Sequence, residues 1–331
     1  MFHIKNIFTL SRFRFLIQSI FTAYCMFIGY RFYHFYLWIS DQSQTAATRP
    51  AGVEGFLPIS ALLGFKQLIS TGQYDTVHPA GLTIFLAALC VCLIFRKAFC
   101  GWICPVGFLS NLLEKAGKRL HLMWRPPAWL DYGLHSLKYI LLAFFVFLIF
   151  FRMDARQVRA FIKSPYNLIA DAKMLVFFLH PSTVFLSILT GLAAASLVLK
   201  NFWCRYVCPY GALLGLISLL SPIKITRNAD TCIGCRKCVD TCPESIPIHL
   251  RDAVRGPDCM GCMQCTSVCP VNGCLTLSAP GNRRISSWLV PAGAVILFMG
   301  FWVVAAATGH WDNCVPVHTL KTFYQMLLPM H

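Results

Sequence analysis

The stretch Cys232-x2-Cys235-x2-Cys238-x3-Cys242-Pro243, repeated as Cys259-x2-Cys262-x2-Cys265-x3-Cys269-Pro270, decides how the rest of the chain is organised. Two triplets of closely spaced cysteines, each followed by a Cys-Pro, form the iron–sulfur run in which the fourth cysteine of each copy ligates the other copy's cluster. One [4Fe-4S] cluster is therefore expected on Cys232, Cys235, Cys238 and Cys269, and a second on Cys259, Cys262, Cys265 and Cys242. The spacing has a mechanical reason. Three thiolates on one tight loop grip three irons of a cube, and a distant cysteine closes the fourth corner. A zinc ribbon would need pairs of cysteines instead of triplets with a Cys-Pro.

Outside this stretch the chain is strongly apolar. Of its 331 residues, 57% are hydrophobic and 13% charged, with a mean hydropathy of +0.61, far from a soluble globular average. A membrane protein is expected. Most of the 17 cysteines fall into Cys-Pro clusters and not into the pattern of a small secreted disulfide scaffold, which implies iron and a compartment that keeps thiols reduced. The formal charge of +16 comes from basic residues dispersed at membrane edges. No nucleic-acid-binding module is present, so membrane topology and not a nucleic-acid partner accounts for the charge.

Five spans follow from the apolar runs. The first, at about 15–38, follows a basic start with Lys5, Arg12 and Arg14, and ends in an aromatic belt from Tyr30 to Trp38. It is too long for a signal peptide and lacks a small-residue cleavage site. An outer loop over 40–76 contains an apolar piece near 56–70, of a length suited to an interfacial or re-entrant segment. A second span is expected from Pro79 to Phe95, a third at 134–151, a fourth at 181–199 and a last at 286–308, with a second outer loop at 152–177. On this topology the cysteine-rich insert is cytoplasmic and the C-terminal tail is outside. Of the 29 Lys and Arg, only Arg31, Arg49, Lys66, Arg152, Arg156, Arg159, Lys163, Lys173 and Lys321 lie outside, in keeping with the positive-inside bias. The cluster between Arg152 and Lys163 runs against that bias; it is either a solvated surface helix or a docking patch for an acidic partner.

An internal repeat is legible as well. Leu93-Ile-Phe-Arg-Lys-Ala-Phe-Cys100-Gly-Trp-Ile-Cys104-Pro-Val-Gly aligns without a gap on Leu197-Val-Leu-Lys-Asn-Phe-Trp-Cys204-Arg-Tyr-Val-Cys208-Pro-Tyr-Gly, and His78-Pro79 matches His180-Pro181. Both copies run in the same direction, so the duplication is parallel and should bring Cys100 and Cys104 to Cys204 and Cys208. If those span ends are helical, the four-residue separation places both thiols of a pair on one face. The four thiols could hold a further metal centre, act as two redox dithiols, or pack helix ends. The His-Pro pairs are expected as helix starts, with quinone hydrogen bonding or haem ligation as the other possibility. Cys25, Cys90 and Cys92 are expected in the apolar core, while Cys274 and Cys314 carry no motif.

The expected fold is an all-α integral membrane protein of about five transmembrane helices with an internal parallel repeat, plus a small α+β ferredoxin-like domain for two [4Fe-4S] clusters. Residues 1–221 would form the membrane domain, 222–282 the cytoplasmic ferredoxin-like domain, and 283–331 the last helix and external tail. Two C-x3-CP motifs followed by a two-cluster segment resemble the polyferredoxin membrane subunits of the NapH type, the quinol dehydrogenase component of periplasmic nitrate reduction, and the related NosR and CcoG groups. The likeness covers about 78–280. No flavin-binding domain precedes the first span, as in the NosR group, and no immunoglobulin-like domain follows the last, as in the CcoG group.

The resemblance implies a protein of the bacterial cytoplasmic membrane in anaerobic respiration. It would pass electrons between the quinone pool or a cytoplasmic donor and a redox partner of a respiratory reductase complex, the partners being quinone or quinol and other subunits. It also implies Cys100, Cys104, Cys204 and Cys208 as membrane cysteine motifs. A CcoG-like factor that assembles or reduces a metal for a respiratory oxidase is the alternative. No dinucleotide fingerprint and no haem-attachment motif occurs, so catalysis beyond electron transfer has no residue to rest on.

Overall fold

The computed structural model describes Phe2–Leu327. Met1 and residues 328–331 lie outside the described residues, as do the side chains of residues 2–9 and 327, so the charge counted at Lys5 and the end of the external tail rest on sequence alone.

In chain order the helices are α1 (Phe2–Ile39), α2 (Pro58–Thr71), α3 (Pro79–Phe95), α4 (Pro105–Arg119), α5 (Ala128–Val146), α6 (Ala155–Ile162), α7 (Pro165–Leu168), α8 (Ala170–Leu179), α9 (Thr183–Val198) and α10 (Pro209–Ser218). The cysteine-rich insert follows with β1 (Lys224–Arg227), α11 (Lys237–Asp240), β2 (Ala253–Val254), α12 (Gln264–Ser267), β3 (Leu275–Ser278) and β4 (Arg284–Ile285), before α13 (Leu289–Ala307) and α14 (Val317–Leu327). The four strands form one antiparallel sheet in the order β2-β1-β3-β4, with Ile225 opposite Val254 on one side and Leu277 on the other.

Among the described residues three helices are long and apolar enough to cross a membrane: Leu10–Ile39, Ala128–Arg152 and Leu289–Ala307. Their outward faces carry large apolar side chains such as Met26, Phe151 and Ile296, each more than 70% exposed, which water would not tolerate over so large an area. The chain is a membrane protein. The expected second span is α3, with the bounds read from sequence, but its 17 residues span only about 25 Å at 1.5 Å per residue. The expected fourth span is α9, whose 16 residues reach only about 24 Å; α8 precedes it at a bend of 83°. Pro181 falls in the break, where it lacks an N–H for the helix ladder and turns His180 out of the helical region. The segment 152–177, expected as a loop, is instead helical through α6, α7 and most of α8. The piece near 56–70 is α2, whose Ala61, Leu62 and Leu63 are buried.

The chain forms two compact units. The first comprises the segment ending at Thr22, Ala88–Leu142 and Thr190–Phe298; the second comprises Ala23–Ala87, Ala143–Leu189 and the chain from Met299 onward. The division falls inside α1, α3, α5, α9 and α13, the five helices the sequence marks as spans. In the first unit one continuous apolar core includes Leu10, Ala88, Trp102, Leu214, Ile225, Met260, Leu277 and Val290, so the insert and the helix ends around it are packed as one body.

Candidate functional site

Both cysteine triplets are shaped by the same backbone. Gly234 and Gly261 take φ of 68° and 59°, and Arg236 and Met263 take 59° and 57°. Two left-handed residues on either side of the middle cysteine curl each loop into a cup, and the third cysteine, Cys238 or Cys265, then enters α11 or α12. Glycine adopts this conformation at no steric cost, whereas Arg236 and Met263 carry Cβ strain that the loop geometry must hold in place.

The triplets cross over. Cys232, Cys235, Cys238 and Cys269 line one cavity, and Cys242, Cys259, Cys262 and Cys265 line a second. Four soft thiol donors around a void is the donor set an iron–sulfur cluster takes, so the residues present fit the group. The two surroundings differ. The first cavity is lined by Arg227, Arg236, Lys237 and His249. There the Gly234 N–H and the Arg227 guanidinium hold the Cys232 thiol below its ordinary pKa. The second is walled by Ile225, Ile246, Ile248, Val254 and Met260, and burial pushes the thiols of Cys242, Cys259 and Cys265 up. Cys274, which carries no motif, is buried against the first cavity. Burial raises its thiol to about 11.

The duplicated motifs form π-helical turns, Phe99–Ile103 and Trp203–Val207, and not the α-helical ends considered from sequence. In each, the second cysteine is the N-cap of the next helix and the proline occupies its first turn. This explains the Cys-Pro: proline has no N–H to lose at that position. The Cys208 Sγ accepts the Gly211 N–H at 3.2 Å. The structure brings the two pairs together. Cys100 lies within charge–charge range of Cys104 and Cys204, and Cys204 within range of Cys104 and Cys208. Burial pushes both Cys100 and Cys204 well above their ordinary pKa. The Lys97 ammonium, 1% exposed, faces the same thiols and the buried Glu244. Among the described residues neither the Lys97 Nζ nor the Glu244 carboxylate has a hydrogen-bond partner.

The first motif docks on the loop of the second cavity. The Trp102 Nε1 donates to the Gly261 carbonyl at 3.0 Å, and Lys97 N–H donates to the Cys259 carbonyl at 3.4 Å. A Cβ on Gly101 would lie 2.6 Å from the Met260 carbonyl oxygen. Arg14 and Gln18 of α1 close the other side by donating to the Gly101 carbonyl at 2.8 and 3.1 Å. The second motif turns elsewhere: Arg205 and Tyr206, which align with Gly101 and Trp102, both bind Asp131 of α5, at 2.7 and 2.5 Å. Sequence alignment finds the cysteines but not these partners, which are remote in the chain.

The paired histidines, both in the second unit, are not equivalent. His180 is exposed. His78 is 1% exposed; its Nε2 lies 2.8 Å from the Asn167 carbonyl and its Nδ1 3.5 Å from Glu54. Burial lowers its pKa, but the Glu54 carboxylate reverses the sign and leaves it raised. Glu54 and Asp171, both fully buried, share Arg49 at 2.7 Å each, and Tyr324 donates to Asp171 at 3.2 Å. Glu54 also accepts the Gly81 N–H at the start of α3. The loop around Arg49 and Glu54, which had no role in sequence, thus caps that helix.

The 4Fe-4S binding domain family matches residues 77–122 and 181–228, the two copies of the repeat. The 4Fe-4S dicluster domain family matches residues 224–270. Among curated proteins, the chain is 39% identical over 323 residues to the putative electron transport protein YccM of Escherichia coli, covering 95% of this chain and 87% of that protein. It is 30% identical over 199 residues to the protein NirI of Paracoccus denitrificans, covering 58% of this chain and 28% of that protein. It is 26% identical over 171 residues to the ferredoxin-type protein NapH of Haemophilus influenzae, covering 50% of this chain and 55% of that protein. No solved structure matches the chain.

Proposed function

We propose, from the premise that the chain belongs to the NapH-like family of polyferredoxin membrane proteins, that it holds two [4Fe-4S] clusters and connects a quinol or a cytoplasmic donor to a redox partner of a respiratory reductase. Membrane iron–sulfur electron transfer is the function of the chain. The first cluster would be held by Cys232, Cys235, Cys238 and Cys269, the second by Cys259, Cys262, Cys265 and Cys242. The observation that carries this division is the pair of separate cavities, each lined by one full triplet and one thiol of the other.

A [4Fe-4S] cluster supplies one-electron redox chemistry. The chain's own residues set the conditions for it. Isoleucines, Val254 and Met260 keep water from the second site, while Arg227, Arg236 and Lys237 offer positive charge at the first. Two one-electron sites in one body suit a two-electron donor such as a quinol. Cys100, Cys104, Cys204 and Cys208, with Lys97 beside Cys100, Cys204 and Cys208, would form a further redox or metal site. The ferredoxin-like segment 222–282 would lie in the cytoplasm, between a membrane domain of 1–221 and the last span, in the inner membrane of a bacterium. That sidedness is supported by the distribution of Lys and Arg.

Iron and acid-labile sulfide counting on the purified chain tests the metal content, and EPR after addition of a menaquinol or ubiquinol analogue tests the donor. About eight irons and eight sulfides per chain are expected for two cubes, with signals developing on quinol addition. Zinc in place of iron would refute the clusters. Signals that answer to dithionite but to no quinol would assign the donor to the cytoplasm.

A further inference from the structure

We propose that α6 is an anionic-lipid-binding helix, held at the membrane surface with Arg156, Arg159 and Lys163 aimed at phospholipid headgroups. The span Ala128–Arg152 has 25 residues: 19 α-helical ones, about 28 Å at 1.5 Å per residue, followed by six π-helical ones, Phe147–Arg152, so that together they exceed a hydrocarbon thickness of about 30 Å. Its last residue, Arg152, therefore emerges among headgroups. Only Met153 and Asp154 separate it from α6, so the start of α6 lies no more than about 10 Å further along the chain, a distance comparable with the headgroup layer of about 5–8 Å.

The orientation of the helix is fixed. A capping box closes its first turn, with Gln157 N–H donating to Asp154 Oδ1 at 2.7 Å and Asp154 N–H donating to Gln157 Oε1 at 2.9 Å. Val158 and Ile162, one turn apart, are 1% and 2% exposed and face the protein. Arg156, Arg159 and Lys163 follow each other at three- and four-residue steps along a different face, and all three are exposed. Among the described residues, no ion pair or side-chain hydrogen bond engages these cations or Arg152. The nearest acids in sequence are occupied: Asp154 in the capping box, and Asp171 buried on Arg49.

What makes a lipid surface the occupant, and not an acidic protein, is the frame of exposed aromatic side chains. Phe147 and Phe151 stack at 6.0 Å on the end of the span and are 57% and 75% exposed. Tyr166, 58% exposed, lies beneath the Lys173 ammonium at 4.3 Å. Aromatics at the end of a span, followed at once by a cationic stripe, make an interfacial anchor. The cluster runs against the positive-inside bias of the rest of the chain, so topology alone does not explain it. Each Lys or Arg near an anionic surface strengthens attraction about fivefold.

The test uses the full chain in nanodiscs of mixed phosphatidylglycerol and phosphatidylcholine. Spin-labelled forms of each lipid report the fraction immobilised on the protein. The wild-type chain is expected to prefer phosphatidylglycerol several-fold, and to lose that preference when salt is raised from about 0.05 to about 0.5 M. The triple variant Arg156→Gln, Arg159→Gln, Lys163→Gln should retain measurably less phosphatidylglycerol than the wild-type chain with its iron–sulfur EPR signals intact. Arg156→Lys with Arg159→Lys should keep the preference, which separates charge from folding. An undiminished preference in the triple variant overturns the proposal. Loss of electron exchange with an acidic redox protein, with lipid preference unchanged, would assign the stripe to that protein and equally overturn it.

Discussion

The two four-cysteine cavities share a loop design and differ in everything around it. Each is framed by a glycine and a second residue at positive φ, and each takes three thiols from one triplet and one from the other. Yet one is walled by aliphatic side chains and braced by Trp102 at the Gly261 carbonyl, while the other is edged by Arg227, Arg236, Lys237 and His249. The loop fixes what can be bound. The surroundings fix how readily an electron is accepted, because burial penalises added negative charge and nearby cations favour it.

The contrast breaks most severely at Trp102. This side chain is fully buried and binds the Gly261 carbonyl, so Trp102→Ala should cost about 3–5 kcal/mol, read as a loss of thermal stability. The EPR signal of the second site should broaden or vanish while that of the first persists. Equal loss of both signals would deny that the first motif serves the second site. A milder break is Gly101→Ala, whose Cβ would meet the Met260 carbonyl at 2.6 Å; about 1–3 kcal/mol is expected from overpacking, again with the effect confined to the second site. Arg205 occupies the aligned position of the other motif, so the turn itself accepts a side chain. Tyr206→Phe, which removes only the hydroxyl held by Asp131, should cost about 1 kcal/mol and leave both signals unchanged. The smallest perturbation sharpens the contrast instead of breaking it. Arg227→Gln is expected to lower the potential of the first site and leave the second unmoved in an EPR-monitored redox titration. An equal shift of both would show that local charge does not separate them.

What sequence spacing can reveal is local. Which thiols line each cavity follows from the positions of Cys232 to Cys269, and the bounds of α3 follow from Pro79 and the basic Arg96-Lys97. The repeat was legible because Cys100, Cys104, Cys204 and Cys208 kept their spacing. The rest depends on contacts between distant residues. Nothing near Gly101 announces that Met260 will lie against it, and nothing in Arg205-Tyr206 announces Asp131. The C-x3-C turns are π-helical because the second cysteine must leave the helix to cap the next one, a requirement that simple helical periodicity does not carry. His78-Pro79 and His180-Pro181 look alike as dipeptides, but Glu54 and Asn167 enclose only the first, and Pro181 instead lies at the bend between α8 and α9. Cys274 is not legible as a neighbour of the first site because it belongs to no motif and reaches the cavity from the residue just before β3.

The crossed thiol sets are tested most directly by EPR of four single variants of the full chain, Cys232→Ser, Cys269→Ser, Cys259→Ser and Cys242→Ser, each purified and reduced under the same conditions. Cys242→Ser is expected to perturb the same signal as Cys259→Ser, and Cys269→Ser the same signal as Cys232→Ser, although each pair joins cysteines from opposite halves of the repeat. If Cys242→Ser instead perturbs the signal that Cys232→Ser perturbs, each half closes its own cluster, and the assignment of two interlocked sites is contradicted.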